Sequence, residues 1–179
     1  MTKAMRKVEV IPYSNGWPST FQEEASELKR VFGSELIEIY HIGSTSVIGL
    51  SAKPIIDIMP VVKEIARIDS LHEAMRELGY EAKGENGIAG RRYFQKGGND
   101  RTHHVHVYEE RSPEIGRHLA FRDYLRAHPA IAKKYGDVKE ELAKRYPNDI
   151  AAYIKGKEQL ALEIEREAVE WVQKKEKWK

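Results

Sequence analysis

The chain of 179 residues contains no cysteine. That absence removes disulfides, thiolate zinc sites and cysteine nucleophiles, so any metal must be held by carboxylate oxygen or imidazole nitrogen. It also fits a reducing compartment, and a cytoplasmic location is the expectation. No apolar run approaches the ~20 residues that a membrane span requires. The amino-terminal MTKAMRKVEV has positive charge without an apolar run behind it, so it does not read as a secretory signal. Net charge is nearly absent too: 30 lysines and arginines face 28 aspartates and glutamates, a balance of +2. Such a balance carries no strong nucleic-acid signal, and no membrane partner is expected.

What is present is an alternation of short β-type runs and helical patterns, followed by a helical final third. Residues 7–12, 36–42, 54–62, 80–83, 91–95 and 102–108 read as strands. The near-continuous apolar run of residues 54–62 (PIIDIMPVV) implies burial on both faces and a central place in the sheet. After Trp17-Pro18, the residues Phe21, Ala25, Leu28 and Phe32 recur at helical spacing, with a Thr20/Glu23 capping box and Gly33 as the stop. Asp69 or Ser70 is expected to cap a helix carrying Leu71, Met75 and Leu78. The turns GENG and KGGND suit antiparallel hairpins. Ser112-Pro113, Pro129 and Asn148-Asp149 open three further helices, and the tail KKEKWK is expected to fray. The fold class expected is α/β (or α+β): a mixed twisted sheet of five to six strands flanked by helices, with a core of about residues 7–110 and C-terminal helices over about 113–175.

The chemistry concentrates in YHIGSTSVIGLSAKPIIDIMPVV, residues 40–62. A strand ends at Ile42, and Gly43 turns the chain without a Cβ in the way. The hydroxyls and amides of Ser44, Thr45 and Ser46 could then surround an anionic oxygen, with Lys53 as a neutralising cation. Asp57 is a lone carboxylate in an apolar strand, costly to bury unless paired or bound to a cation. Further on, RTHHVHVYE places His104 and His106 on one face of a strand and His103 with Val105 and Val107 on the other. Asp57, His104 and His106 form a candidate divalent site, since imidazole suits transition metals better than magnesium. Arg91, Arg92 and Arg101 near the hairpin ends read as surface charge, or, if one turns inward, it is Arg92 that is expected to do so, with Tyr93 and Phe94 framing a base or phosphate. His41 reads as a core histidine, and the Lys/Glu alternation after Lys133 as a solvated face.

Gly-Ser after one strand and an acid on the next, with Ser44 and Asp57 separated by 13 positions, resembles the nucleotidyltransferase superfamily signature. The segments HIGSTSVIGLSAKPIIDI, GENGIAGRRYF, RTHHVHVYE and HLAFRDYLRAHP together resemble the GrpB-like (glutamate-rich protein B) family, from about Val8 to Trp171. That resemblance implies a single nucleotidyltransferase-like domain over residues 1–179. By analogy with the superfamily, Gly43 and Ser44 would contact a triphosphate while carboxylates hold divalent metal, magnesium or a transition metal, for in-line transfer. Two departures stand out. Ile48 replaces a proline frequent in the family. Ile58 and Met59 follow Asp57 where the superfamily has its second acid.

Three readings follow. The first is a metal-dependent nucleotidyltransferase, with Asp57, His104 and His106 catalytic, Gly43, Ser44, Thr45, Ser46, Lys53 and Arg92 binding phosphate or nucleotide, and an unknown acceptor. The second is a catalytically degenerate module that recognises a nucleotide or phosphorylated small molecule. The third is a histidine-metal phosphoesterase. A pocket is expected between the Gly-Ser turn, Asp57 and the histidine strand.

Overall fold

The structure, a computed structural model, describes residues 6–177. Trp178 and Lys179, the end of the tail expected to fray, lie outside the described residues. The chain is α+β, with a five-stranded mixed sheet and a helical C-terminal part. It forms two compact units, one of residues 15–42 and 55–115 and one of residues 6–14, 43–54 and 116–177.

The first unit holds the sheet. Helix α1 (Trp17–Phe32) carries a proline in its first turn and buries Trp17, Phe21, Ala25, Leu28 and Phe32 along one stripe before ending at Gly33. The capping box does not form. Pro18 pulls the helix start forward to Trp17, so Thr20 lies inside the helix and donates its hydroxyl to the Gly16 carbonyl at 3.0 Å. Strands β1 (Leu36–Ile42), β2 (Ile56–Val62), β3 (Tyr80–Ala82), β4 (Arg92–Lys96) and β5 (His103–Glu109) lie in the order β1-β2-β5-β4-β3. β2 is central as its apolar run implies: it runs antiparallel to β1 and parallel to β5, and only Asp57 escapes full burial. β5 and β4, and β4 and β3, are antiparallel, as the turn residues suggested. Between β2 and β3, a 3-10 stretch (Ile65–Leu71) precedes helix α2 (His72–Glu77). Neither expected cap serves α2, because Asp69 is drawn to Arg92 at 2.7 Å and the Ser70 hydroxyl to the Arg67 carbonyl at 2.7 Å.

In the second unit, helices α3 (Pro113–Ala127, from Gly116 onward), α4 (Pro129–Arg145) and α5 (Ile150–Lys177) pack around the loop of residues 43–54. Val47 and Leu50 of that loop are buried with Ala120, Tyr124, Leu125, Ala132, Tyr135, Ile164 and Ala168. Ser112 caps α3 by accepting from the Glu114 amide at 3.3 Å, and Asp149 caps α5 by accepting from the Ala152 amide at 3.1 Å. The strand expected over residues 7–12 is reduced to one bridge, Ile11 with Ala52. Pro12 has no N–H to continue a ladder, and the Val8 amide is taken by the Pro147 carbonyl at 2.9 Å. Among the described residues no helix is long and apolar enough to cross a membrane.

The β4–β5 turn supplies a stability test. Gly97 has φ +100°, and a Cβ there would collide with the Asp100 carbonyl oxygen, whereas at Gly98, with φ +59°, a Cβ would meet open space. Gly97→Ala is expected to lower unfolding free energy by more than the ~1–2 kcal/mol that a left-handed backbone costs an ordinary residue. Gly98→Ala should stay within that range, and urea denaturation of the two variants checks the contrast.

Candidate functional site

Strand register brings the first set of predicted residues together. Asp57 on β2 is the parallel partner of His104 on β5, and His106, two residues on, projects from the same face. Asp57, His104 and His106 offer ligand atoms that all lie within 4.8 Å of one another. His106 Nε2 stands 3.0 Å from Asp57 Oδ1, and His104 Nδ1 stands 3.5 Å from the same oxygen. The three side chains are 26%, 16% and 13% exposed, so the group is sheltered yet reachable. Across the β4–β5 pairing, Tyr93 is registered with His106, and its ring centroid lies 5.3 Å from that imidazole and 5.6 Å from His104. Burial by itself would push the Asp57 carboxyl up. Hydrogen bonds from His104 and His106 overcome that and hold it well below the usual carboxylate range.

The arginine beside this group is not the one expected. Arg92 is paired with Asp69, its Nε at 2.7 Å, and does not face the cluster. Arg91 is 6% exposed, places its guanidinium 4.9 Å from the Tyr93 ring centroid and reaches His106 Nδ1 at 3.3 Å. Strand parity was the available signal: Arg91 and Tyr93 are two apart and share a face, whereas Arg92 takes the other. His103 points to the opposite face from His104, beside Glu24 at 3.7 Å. His41 is a buried histidine stacked on Phe21, centroids 4.8 Å apart.

The second set lies in the helical unit. Gly43 adopts φ 73°, ψ −173°, and Ser44–Ser46 form a single 3-10 turn rather than the start of an α-helix. Thr45 and Ser46 are buried, and the Ser46 hydroxyl donates back to the Gly43 carbonyl. Ser44 accepts a hydrogen bond from Lys139 Nζ at 2.8 Å, and the Ser46 carbonyl accepts from Arg126 Nε at 2.9 Å. Sequence reasoning missed both cations. Lys139 sits in the Lys/Glu-rich stretch expected to be solvated, yet it is 3% exposed and 4.6 Å from the Tyr135 ring. Its helical phase with the buried Ala132, Tyr135 and Gly136 would have disclosed it. Arg126 is held below the usual guanidinium range, first by burial and then by Arg122, with Asp123 and Tyr13 partly offsetting. Lys53 stands over the Tyr153 ring, 5.4 Å from its centroid. Ile48, at the family departure, is 80% exposed, while its neighbours Val47 and Leu50 anchor the loop.

Known proteins resemble this chain in sequence and fold. A family model described as GrpB protein matches residues 7–167. The UPF0157 protein YqkA of Bacillus subtilis is 55% identical over 166 residues, which cover 93% of this chain and 48% of that protein. This chain therefore spans about half the length of that relative. A crystal structure of the conserved protein GrpB from Enterococcus faecalis superposes with a TM-score of 0.88 at 45% identity, covering 96% of this chain and 100% of that one. Cid1, which has RNA terminal uridylyl transferase activity, aligns with a TM-score of 0.52 at 16% identity, over 75% of this chain and 42% of its own. At that identity the likeness shows the fold alone, which is nucleotidyltransferase-like.

The depressed carboxyl gives a signed pH dependence. A group whose folded pKa lies below its unfolded value contributes stability above the unfolded pKa, about 3.9 for aspartate, and loses it as the pH falls. Asp57→Asn should therefore be less stable than the parent at pH 7, by about 1–3 kcal/mol. The difference should narrow as the pH drops below about 4. Urea midpoints for both proteins at pH 7 and pH 3 measure it.

Proposed function

The chain belongs to the GrpB family, and we propose that it binds a phosphate-bearing ligand of the nucleoside triphosphate class together with a divalent cation. The observation that carries this reading is the convergence of Asp57 with two imidazoles on adjacent strands. A carboxylate beside imidazole is a donor set that suits a divalent ion. Bound there, a cation would supply Lewis acidity toward phosphoryl oxygens. The chain's own residues do the rest. Asp57 holds its charge at neutral pH, and Tyr93 shields both imidazoles from water. The Gly43–Ser46 turn, with the Ser44 and Thr45 hydroxyls, is the segment we assign to phosphate, and Lys139 and Arg126 supply positive charge there. Both cations donate into that one turn, and positive charge gathered there favours an anion near it.

A second reading is favoured by one specific observation: the positions after Asp57 are the fully buried Ile58 and Met59. A transfer reaction that clamps attacking and leaving oxygens between two metals needs more than one bridging carboxylate. The degenerate reading, in which the ligand is bound and not turned over, therefore stands beside nucleotidyl transfer to an unknown acceptor.

Calorimetry with Mn2+, Mg2+, Zn2+ and a non-hydrolysable ATP analogue tests both arms. Asp57→Ala is expected to abolish saturable metal binding while the protein remains folded by circular dichroism. Lys139→Met should weaken the nucleotide analogue by roughly tenfold or more, about 1.4 kcal/mol. Undiminished metal binding by folded Asp57→Ala would remove the cation site. Label transfer from α-labelled triphosphates, lost in Asp57→Asn, would decide for the enzyme over the module.

A further inference from the structure

His104 and His106 are not equivalent members of the cluster. His106 meets Asp57 Oδ1 through Nε2 at 3.0 Å and meets Arg91 through Nδ1 at 3.3 Å. A guanidinium only donates and stays protonated, so Nδ1 must accept. In a neutral imidazole the proton then resides on Nε2, where it is donated to Asp57. Metal-bound histidines show the reverse pattern: the ring nitrogen away from the ion donates its N–H to an acceptor. With Arg91 in place, His106 could ligate through Nε2 only as an imidazolate. Arg91 is also well anchored. Its Nε donates to the Glu85 carbonyl at 3.1 Å, a terminal nitrogen donates to the Asn86 carbonyl at 2.7 Å, and the group stacks over Tyr93.

His104 is differently placed. Its Nδ1 lies 3.5 Å from Asp57 Oδ1, at the outer limit of a hydrogen bond. Two cis ligands of an octahedral ion at about 2.1 Å stand roughly 3.0 Å apart, so a closure of about half an ångström brings this pair onto a shared cation.

We propose that Arg91 determines which metal the site accepts, by fixing His106 as an Nε2–H donor to Asp57 and leaving Asp57 and His104 as the two direct protein ligands. The inference rests on the reading of this cluster as a cation site. A two-ligand site leaves most of the coordination shell to water and phosphate oxygens, which suits Mn2+ or Mg2+. Zn2+ instead favours three or four protein ligands. His106 is then a positioning residue that orients the carboxylate, and Arg91 positions His106.

Two measurements test this. Long-range 1H–15N correlation spectra of the metal-free protein at pH 8 report the His106 tautomer directly, and Nε2–H with a bare Nδ1 is expected. Calorimetric titration with Mn2+ and Zn2+ is then compared for the parent, Arg91→Gln, Arg91→Lys and the Arg91→Gln/His106→Asn double variant. Glutamine offers an acceptor for Nδ1–H and frees His106 to ligate. Arg91→Gln should therefore raise the Zn2+-to-Mn2+ affinity ratio by about 10–100-fold, the usual effect of a partner behind a metal ligand. Arg91→Lys should keep the parent ratio, and the double variant should lose the gain. An Nδ1–H tautomer in the parent overturns the proposal even if Arg91→Gln does not fold. So does an unchanged ratio in folded Arg91→Gln. A parent protein with the Nε2–H tautomer that binds neither metal would end the cation reading, and Arg91's selecting role with it.

Discussion

The parallel pairing of β2 with β5 is the constraint on which the sheet and the cluster both depend. It aligns Asp57 with His104 and, through strand alternation, puts His106 on the same face. Parallel neighbours need a long crossover, and here it consists of a 3-10 stretch, α2 and the β3–β4 hairpin. That crossover returns β4 to the far side of β5, where Tyr93 comes into register with His106. One pairing thus assembles the carboxylate, both imidazoles and the aromatic wall. Among the described residues, the cost of placing a carboxylate in an apolar strand is met by two imidazoles rather than by a lysine or arginine salt bridge.

The arginines around the cluster show how much one position along a strand matters. Arg91 and Arg92 are adjacent and chemically identical, yet alternation sends them to different partners. Arg92 closes an ion pair with Asp69. Arg91 is buried against Tyr93 and donates to a histidine that is itself donating to Asp57. Hydrogen bonds therefore run in a chain, guanidinium to imidazole to carboxylate, in which each direction dictates the next. Opposite polarity governs the Gly43–Ser46 turn, where Lys139 and Arg126 donate to a serine hydroxyl and a backbone carbonyl.

Elements with strong local signals were legible without coordinates. α1, β1, β2, β5 and the starts of α3, α4 and α5 fall where periodicity, proline and capping residues put them. Weak or competing local signals failed. The single bridge at Ile11 replaced a strand, because a β-type composition cannot supply its own partner. Asp69 abandoned the cap of α2 because Arg92 offered a charged partner at 2.7 Å. In the candidate site, the grouping of Asp57 with His104 and His106 was legible, since strand alternation and residue chemistry agree. Lys139 was not, because a lysine amid Lys/Glu residues reads as solvated until its neighbours on the buried stripe are known.

The sequence by itself determined the element types, the oxygen-and-nitrogen restriction on any metal, and the side of each strand that its residues occupy. These follow from composition and from local periods of two and 3.6, which need no knowledge of distant contacts. Only the tertiary structure decided which strands are neighbours, which of two adjacent arginines meets His106, and which lysine reaches Ser44. Those choices depend on register and packing between segments far apart in the chain, and no local pattern encodes them.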